Sequence, residues 1–375
     1  MIRRFSTLAK RTPLFDIQQK LNPVIGNFAG YDLPMNFNYN NKKSSDIVQG
    51  IRNEDIGIFD TSHMGIINLI PTNKSSFNDI KILIELLFPI NTDILKTNRS
   101  GLTVLLNENG FVQDDLIISN IEDSYFRLVV NASTKNNIFN LLNMFKKLNG
   151  IDIDTRIENK IILAIQGSNS SELLEELTQI NYDNLYFNDN IKINNELEIS
   201  RIGYTGEDGF ELYCDIDYGR NIYNKIINMN KDNVHLCGLI ERDMLRMEAG
   251  LCLSGNEFGE DININFSDLN MDFLIGKKRR NNGGFIGYNN INNKTKNRIG
   301  LTSNRPLKER DIMYSNDKAI GFVTSSTKSF NLNKFISIGY LDLNSDDDIY
   351  TIKNNKKIEL KKTELPFIKT NYRKK

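Results

Sequence analysis

The feature that most constrains the fold is a glycine-rich stretch flanked by strand-like apolar patterns. It is Gly203-Tyr-Thr-Gly-Glu-Asp-Gly-Phe-Glu-Leu-Tyr213, with glycine at 203, 206 and 209. Glycine tolerates positive φ and close backbone approach, so the stretch predicts a tight connection between two strands. If Phe210 and Leu212 face the core, Glu211 points to the opposite face. There it can receive a planar pair of N–H donors; the alternative is an ordinary hairpin with a solvated Glu211.

Composition places the chain among globular proteins and excludes several functions. Its 375 residues suffice for two or three domains, and 39% hydrophobic with 25% charged residues is ordinary for a folded protein. Lys plus Arg and Asp plus Glu balance at 47 each, which gives no electrostatic case for nucleic acid or an anionic membrane. No apolar run reaches the roughly 18 residues that span a bilayer.

Metal and triad chemistry are not predicted either. The three cysteines lack CxxC spacing and indicate free thiols, and the chain has only two histidines. Ser62 and His63 are adjacent, so they point to opposite faces of a strand. We therefore expect neither a bound metal nor a nucleophile–base pair.

Residues 1–11 have a distinctive composition. They carry four basic and two hydroxyl side chains, and the first acidic residue is Asp16. Without a long apolar run, this pattern is typical of a mitochondrial transit peptide and predicts the mitochondrial matrix. The alternative is a basic terminus with no targeting role.

Periodicity predicts the main elements. Thr12 and Pro13 resemble the N-cap and first position of a helix. Residues 24–38 are turn-rich, and a polar helix follows over 44–53. Residues 161–167 form an apolar run typical of a buried strand. From about residue 297 short strands alternate with turns, which predicts a small all-β domain.

A further amphipathic helix is predicted within residues 236–250. Arg242 and Arg246 lie four apart on one of its faces. Its predicted apolar face recurs at helical spacing and consists of Ile240, Met244, Met247 and Leu251.

The candidate site consists of carboxylates and arginines. Asp114 and Asp115 are adjacent in an otherwise apolar strand, where two acids are costly unless one is exposed and the other has a function. Carboxylates accept hydrogen bonds from the paired N–H donors of a heterocycle, and an arginine can donate two parallel hydrogen bonds to a carboxylate. The pattern indicates a site for a planar, anion-tailed ligand, built from Asp114, Asp115, Glu211, Arg242, Arg246 and Arg298.

With these residues in place, the chain resembles the T-protein family of the glycine cleavage system, the tetrahydrofolate-dependent aminomethyltransferases. The matching stretches run in family order over nearly the whole chain after residue 11. They are Thr12-Pro-Leu-Phe-Asp16, Phe28-Ala-Gly-Tyr31, Phe59-Asp-Thr-Ser-His-Met64, Asp114-Asp-Leu-Ile117, Leu163-Ala-Ile-Gln-Gly167, Gly203-Tyr-Thr-Gly-Glu-Asp-Gly209, Arg242-Asp-Met-Leu-Arg-Met-Glu-Ala-Gly-Leu251 and Pro366-Phe-Ile-Lys-Thr-Asn-Tyr372.

The resemblance implies an α+β fold in which three domains form a cloverleaf around a central folate channel. Two are α/β domains of ferredoxin-like or Greek-key type, and the third is a C-terminal β-barrel. The implied division is a transit peptide over 1–11, a discontinuous first folate-binding domain over 12–60 and 153–270, an inserted second domain over 61–152, and the barrel domain over 285–375.

The family transfers the methylene of an aminomethyl group, held on the lipoyl arm of H-protein, to tetrahydrofolate. The products are 5,10-methylenetetrahydrofolate, ammonia and dihydrolipoyl H-protein. The resemblance therefore implies a role in glycine catabolism. It also implies tetrahydrofolate as co-substrate, a lipoyl group supplied by H-protein, no metal, and H-, P- and L-proteins as partners.

The resemblance also implies roles for individual residues. Asp115 corresponds to the catalytic aspartate, which holds folate and stabilises positive charge on the transferred carbon, and Asp114 is the more structural acid. Glu211 matches a pterin-binding carboxylate and Arg242 a substrate-binding arginine. Other matches to the pocket, the folate tail or the channel are Met64, Leu102, Asn131, Phe273, Arg298 and Tyr372.

Two positions depart from the family pattern. Phe273 replaces a pocket tryptophan and loses an indole N–H donor, and Arg127 stands where a pocket tyrosine is expected.

Two alternative functions have less support. The related iron–sulfur cluster assembly protein carries a signature cysteine that Arg201-Ile-Gly-Tyr-Thr-Gly206 lacks. Demethylating folate enzymes of the dimethylglycine or sarcosine type carry a flavin domain, and this chain has no GxGxxG opening a βαβ unit.

Overall fold

The computed structural model describes residues 9–37, 42–344 and 348–375. The described residues form eight α-helices: α1 Phe15–Gln19, α2 Ser44–Asn53, α3 Ser76–Leu87, α4 Lys135–Leu148, α5 Ser170–Thr178, α6 Ile216–Met229, α7 Leu239–Glu248 and α8 Lys277–Asn282. They also form the strands β1 Pro23–Phe28, β2 Tyr31–Phe37, β3 Ile56–Asp60, β4 Gly65–Pro71, β5 Ser100–Leu106, β6 Val112–Ile121, β7 Tyr125–Val130, β8 Ile153–Glu158, β9 Ile161–Gln166, β10 Asn190–Lys192, β11 Leu197–Ser200, β12 Gly209–Cys214, β13 Val234–Cys237, β14 Lys296–Ser303, β15 Ile312–Ser315, β16 Lys318–Ser329, β17 Lys334–Asp342, β18 Ile349–Lys353 and β19 Lys356–Thr363.

A six-stranded sheet has the order β10-β11-β12-β9-β3-β13, and we call it the first sheet. Its pairs are antiparallel except β13 with β3. Every residue of β9 and β12 is buried, as the apolar run over 161–167 predicts. Leu163 packs on one face with Leu173 of α5 and Ile222 of α6, while Ile162 packs on the other face.

A five-stranded antiparallel sheet, the second sheet, has the order β5-β6-β7-β4-β8. Ile84 of α3 and Leu142 of α4 cover one of its faces. Its other face meets the first sheet, because Ile66 and Val129 pack against Ile162 of β9. The two sheets therefore lie face to face between outer layers of helices.

The remaining strands close into a barrel of order β14-β17-β16-β15-β18-β19, with β19 pairing back to β14. Side chains such as Leu301, Val323 and Leu341 fill its core. The barrel confirms the predicted all-β region, and the mixed sheets with helices confirm the α+β class. None of the described helices is both long and apolar enough to cross a membrane. Residues 1–8 of the predicted transit peptide lie outside the described ranges.

The N-terminal elements differ from prediction. Helix α1 begins at Phe15 because Thr12 does not cap it: the Thr12 hydroxyl donates to Asp60 Oδ2 at 2.7 Å. The turn-rich segment over 24–38 contains the β1–β2 hairpin. Ala29 and Gly30, with φ of 49° and 80°, form its turn, as two-residue hairpin loops require.

Helix α7 also buries a different face from the predicted one. Met244 and Met247 are buried as expected, but Ile240 is 37% exposed and Leu251 lies beyond the helix end at Glu248. Leu245 is fully buried instead. The buried face is wider than one stripe, because α7 contacts both α2 and the barrel strand β16.

Candidate active site

The glycine-rich stretch connects β11 and β12 in the first sheet, as predicted. It wraps around the side chain of Gln166, whose Nε2 donates to the Ile202 carbonyl at 3.1 Å and whose Oε1 accepts from Thr205 Oγ1 at 2.8 Å. A Cβ at Gly203 would lie 1.8 Å from Gln166 Oε1, and Gly206 has φ of +84°. Both positions therefore require glycine.

Glu211 occupies the face of β12 opposite Phe210 and Leu212, as strand periodicity predicts. That face is buried against the second sheet, so Glu211 is only 8% exposed and the solvated alternative is wrong. Its Oε2 accepts a hydrogen bond from the Tyr213 hydroxyl at 2.8 Å. The carboxylate is thus held with one oxygen engaged.

Arg242 and Arg246 have different surroundings although one helical turn separates them. Arg246 donates to Glu257 at 3.1 Å and to Ser325 Oγ at 2.9 Å, so protein groups use its donors. Arg242 stacks over the Tyr204 ring at 4.6 Å, and its buried Nη1 has no hydrogen-bond partner among the described residues. Burial lowers the pKa of Arg242, while Glu211 and Tyr204 oppose the shift. Arg242 is therefore the arginine with a donor available to a ligand.

Asp114 and Asp115 lie on β6 and share one amide. Asn131 Nδ2 donates to Asp114 Oδ1 at 2.7 Å, to Asp115 Oδ1 at 3.0 Å and to the Asp115 carbonyl at 3.2 Å. Asp114 is fully buried and also accepts from Thr134 Oγ1. These contacts fit a structural acid at 114.

The pKa values of the two acids are raised. Burial raises the pKa of Asp115 to about 7, and repulsion from Asp114 and Glu257 adds to this effect. Burial also raises the pKa of Asp114, although hydrogen bonds from Thr134, Ser254 and Asn131 oppose the shift. Asp115 has fewer hydrogen-bond donors around it than Asp114. Its negative charge is therefore less stabilised by the protein, and a nearby cation would stabilise it.

Tyr204 connects these charges. Burial raises its pKa, and the charges of Arg246, Asp115, Glu257 and Arg242 all act on the phenol. Its hydroxyl donates to the Cys252 carbonyl. We call Asp115, Tyr204, Glu211 and Arg242 the charged cluster. Tyr204 is not among the site residues predicted from the sequence, although its position between Gly203 and Gly206 places it on the same connection.

The other predicted site residues have varied surroundings. Met64 packs beside Tyr213 and Ile117. Leu102 pairs with Ile117 across β5 and β6 and packs on the cluster around Val104. Met64 therefore lies between the facing sheets beside Tyr213, whereas Leu102 packs on a different cluster.

Arg298, Phe273 and Tyr372 lie outside the charged cluster. Arg298 donates to the Gly250 carbonyl at 3.0 Å and lies 3.0 Å from Cys252 Sγ. Phe273 is 74% exposed. Tyr372 stacks on Phe187 with ring centroids 4.3 Å apart, and burial raises its pKa to about 12.

Arg127, expected near the pocket, lies between the sheets and is 2% exposed. Its Nη1 lies 2.5 Å from Glu198 Oε2, and its guanidinium lies 3.6 Å from the centroid of Tyr213.

His63 is also buried, and burial with the charges of Arg242 and Lys135 lowers its pKa to about 3. The neighbouring Ser62 hydroxyl accepts from the Ile162 N–H at 3.0 Å.

A separate cleft of about 990 Å³ lies beside α4, the β5–β6 hairpin and residues 284–289. Its wall includes Gln113, two residues before Asp115, together with apolar side chains such as Leu141 and Met144. The described residues contain no group of three or more His, Cys, Asp or Glu placed to hold a metal ion.

Together the fold and the charged cluster define a class of ligand-binding protein: two facing sheets and a closed barrel, with a buried acid–arginine site suited to a planar, anion-tailed molecule. Comparison with known proteins specifies the family. A model described as the GCVT N-terminal domain matches residues 14–279, and one described as the glycine cleavage T-protein C-terminal barrel domain matches residues 296–369.

Individual relatives agree with these family models. The chain is 32% identical to an aminomethyltransferase of Thermoanaerobacter pseudethanolicus, over 97% of this chain and 99% of that protein. It is 30% identical to the mitochondrial aminomethyltransferase of Pisum sativum, over 97% and 90%. The crystal structure of glycine cleavage system aminomethyltransferase T from Bartonella henselae matches with a TM-score of 0.89 and 27% identity, over 98% of this chain and all of that one.

The chain therefore belongs to the glycine cleavage T-protein family. This confirms the family and the aminomethyltransferase function predicted from the sequence, and the iron–sulfur assembly alternative is not favoured.

Proposed function

We propose that the charged cluster is the tetrahydrofolate site of this aminomethyltransferase. The observation that carries the proposal is Nη1 of Arg242, which is buried beside Glu211 and has no hydrogen-bond partner within residues 9–37, 42–344 and 348–375. A buried donor without a partner is costly, and a ligand acceptor would remove that cost. Glu211 offers the complementary acceptor for the N–H donors of a pteridine ring.

Asp115 is proposed to act on the transferred carbon. In the reaction this carbon loses its bonds to the lipoyl sulfur and to nitrogen and gains bonds to two folate nitrogens. The two folate N–H protons end on the thiol and on ammonia, so the atoms balance. Positive charge develops on the carbon as ammonia leaves. The raised pKa of Asp115 supports its role, because a carboxylate short of donors gains most from an adjacent cation.

The contacts support different roles for the remaining matched residues. Asn131 is proposed to hold Asp115 in place through its bridging amide, while Met64 and Leu102 supply apolar contact. Arg298 uses its donors within the protein, which favours support of the turn at 250–252 over direct capture of the folate tail. The Phe273 ring is exposed, so its proposed role is to contact a bound ligand from the solvent side.

The partner and compartment complete the proposal. We propose lipoylated H-protein as donor of the aminomethyl group, with P- and L-proteins in the same system, and the mitochondrial matrix as location. The basic composition of residues 1–11 and the similarity to a plant mitochondrial aminomethyltransferase support that location.

The division into domains is also proposed. The first sheet draws its strands from residues 56–60 and 161–237, and the second sheet from 65–158. This connectivity supports a discontinuous first domain, an inserted second domain and a barrel domain over 285–375. The predicted boundary between 152 and 153 falls before β8 (Ile153–Glu158), which belongs to the second sheet, so we propose 61–158 for the inserted domain and 12–60 with 159–270 for the first domain.

The test is a tetrahydrofolate-dependent assay with aminomethylated H-protein. We expect ammonia release and 5,10-methylenetetrahydrofolate formation that both require added tetrahydrofolate and that fall strongly in Arg242→Met. Ammonia release at full rate in that folded variant would overturn the assignment of Arg242.

A further inference from the structure

A buried ion pair joins the two facing sheets directly behind the charged cluster. Arg127 lies on β7 of the second sheet, and Glu198 and Ser200 lie on β11 of the first sheet. Arg127 Nη1 lies 2.5 Å from Glu198 Oε2, and Nη2 donates to Ser200 Oγ at 2.7 Å. Arg127 is 2% exposed and Glu198 is 7% exposed. Well-packed apolar residues are often as stable as such a pair or more stable, so stability alone does not account for it.

The ion pair contacts Glu211 through one intervening side chain. The Arg127 guanidinium lies over the ring of Tyr213 at 3.6 Å, a distance at which a cation and an aromatic face attract. The Tyr213 hydroxyl in turn donates to Glu211 Oε2 at 2.8 Å. Burial and the charge of Glu211 raise the pKa of Tyr213 well above its usual range, so the phenol keeps the proton that it donates.

This arrangement determines which oxygen of Glu211 is free. With Oε2 engaged by Tyr213, Oε1 is the oxygen left to a ligand, and the hydrogen bond restricts rotation of the carboxylate. A fixed acceptor avoids the entropy cost of ordering it when the ligand binds. The link also depends on the relative position of the two sheets, because Arg127 belongs to one and Tyr213 to the other.

We propose that Arg127 and Tyr213 are positioning residues: the ion pair between the sheets holds Tyr213, and Tyr213 orients Glu211 for the N–H donors of tetrahydrofolate. This inference rests on the proposed function and goes beyond it, since neither residue is assigned to the folate contacts above.

The main test is Tyr213→Phe, which keeps the ring over Arg127 and removes the donor to Glu211 together with the hydroxyl's contact with Ser200. We expect the Kd for tetrahydrofolate, measured by isothermal titration, to rise roughly tenfold. In a Glu211→Gln background the same change should add little, because the two residues act as one unit. The matched control is Tyr182→Phe. It removes the hydroxyl of another buried tyrosine, which bonds Thr178 Oγ1 at 2.9 Å in the core beside the first sheet, and its Kd should match wild type because it belongs neither to the ion pair nor to the link with Glu211.

A second variant tests Arg127. Replacing Arg127 and Glu198 together by Met removes both charges and leaves no unpaired ion in the interface. We expect this protein to fold, as circular dichroism would report, and to bind tetrahydrofolate roughly tenfold more weakly.

Each outcome is decisive. If Glu211→Gln weakens binding, three results would overturn this inference without affecting the proposed function. They are wild-type affinity in Tyr213→Phe, additive losses when Tyr213→Phe and Glu211→Gln are combined, and unchanged affinity in the folded protein that carries Arg127→Met and Glu198→Met. A wild-type protein that does not bind tetrahydrofolate would overturn both the proposed function and this inference.

Discussion

At the scale of single residues, the proposed role of Asp115 can be tested directly by one substitution. Asp115→Asn preserves the shape and the hydrogen bond from Asn131 but removes the negative charge. We expect kcat to fall about 10²- to 10³-fold, the range seen when one electrostatic stabiliser is lost. Tetrahydrofolate affinity should change only a few-fold, because Glu211 and Arg242 remain. Ammonia release at the wild-type rate would remove the assignment.

The same substitution should stabilise the protein in a pH-dependent way. In the unfolded chain Asp115 loses its proton near the ordinary pKa of 3.8, whereas in the folded protein it holds the proton up to about pH 7. Wild-type stability therefore declines as pH rises through this window and levels off above it. Asp115→Asn lacks this decline.

Calorimetry at several pH values measures the effect. We expect the melting temperature of Asp115→Asn to exceed that of wild type by roughly 2–4 °C at pH 8, or about 1–2 kcal/mol, and the difference to shrink towards pH 4. Two melting profiles that stay parallel across pH would show that the buried charge carries no such cost.

At the scale of elements, Arg52 joins α2 to α7 and to the glycine-rich connection. Its Nη1 lies 2.7 Å from Glu207 Oε1, its Nε lies 2.9 Å from Glu248 Oε2, and Nη2 donates to the Leu245 carbonyl at 2.8 Å. Both carboxylates are almost completely buried. Since removing one partner leaves buried charge uncompensated, Arg52→Met should cost about 3–5 kcal/mol in urea unfolding.

The matched control for Arg52 is Arg220→Met. Arg220 makes two 2.7 Å hydrogen bonds to Asp16, but the Asp16 side chain is 61% exposed. Such surface pairs contribute at most about 1 kcal/mol. Equal losses in the two variants would show that burial of the Arg52 contacts does not determine their contribution.

The elements also show what sequence can and cannot predict. The buried strand at 161–167 and the helix at 44–53 follow from local periodicity. The different surroundings of Arg242 and Arg246 do not, because Arg246 is paired by Glu257 and by Ser325 of the barrel, which only the tertiary fold brings near. For the same reason the sequence alone does not predict the contacts of Tyr213 with Arg127 and Glu211. Family resemblance points to Glu211, Asp115 and the Asn131 amide that bonds Asp115, but not to Tyr213, which bonds Glu211.

At the scale of the whole molecule, the segment that follows the barrel contacts helix α7 and the glycine-rich connection. The Ile368 N–H donates to the Glu248 carbonyl at 3.0 Å, and the Asn371 N–H donates to the Gly206 carbonyl at 2.8 Å. Asn371 Nδ2 also donates to Glu207 at 2.8 Å. The glycine-rich connection is thus held from both α7 and this segment, which no local sequence pattern indicates.

Removing residues 371–375 should loosen that connection and leave the barrel intact. We expect amide hydrogen exchange to accelerate at residues 203–209. Tetrahydrofolate affinity should fall about tenfold, a loss that includes the contribution of Tyr372, which the deletion also removes. Removing only 374–375 is the control and should leave both unchanged. Unaltered exchange in the longer deletion would show that the connection is stable without Asn371.

The contact between Asn371 and Gly206 has a consequence for biosynthesis. A ribosome that adds about 5–20 residues per second needs roughly 10–30 s to pass from the glycine-rich connection to Asn371. During this interval a nascent chain already contains Asp115, Glu211 and Arg242, yet the connection beside them lacks one of its anchors. The site therefore reaches its fully anchored form only once residue 371 is present, whether the chain folds during synthesis or after import into the matrix.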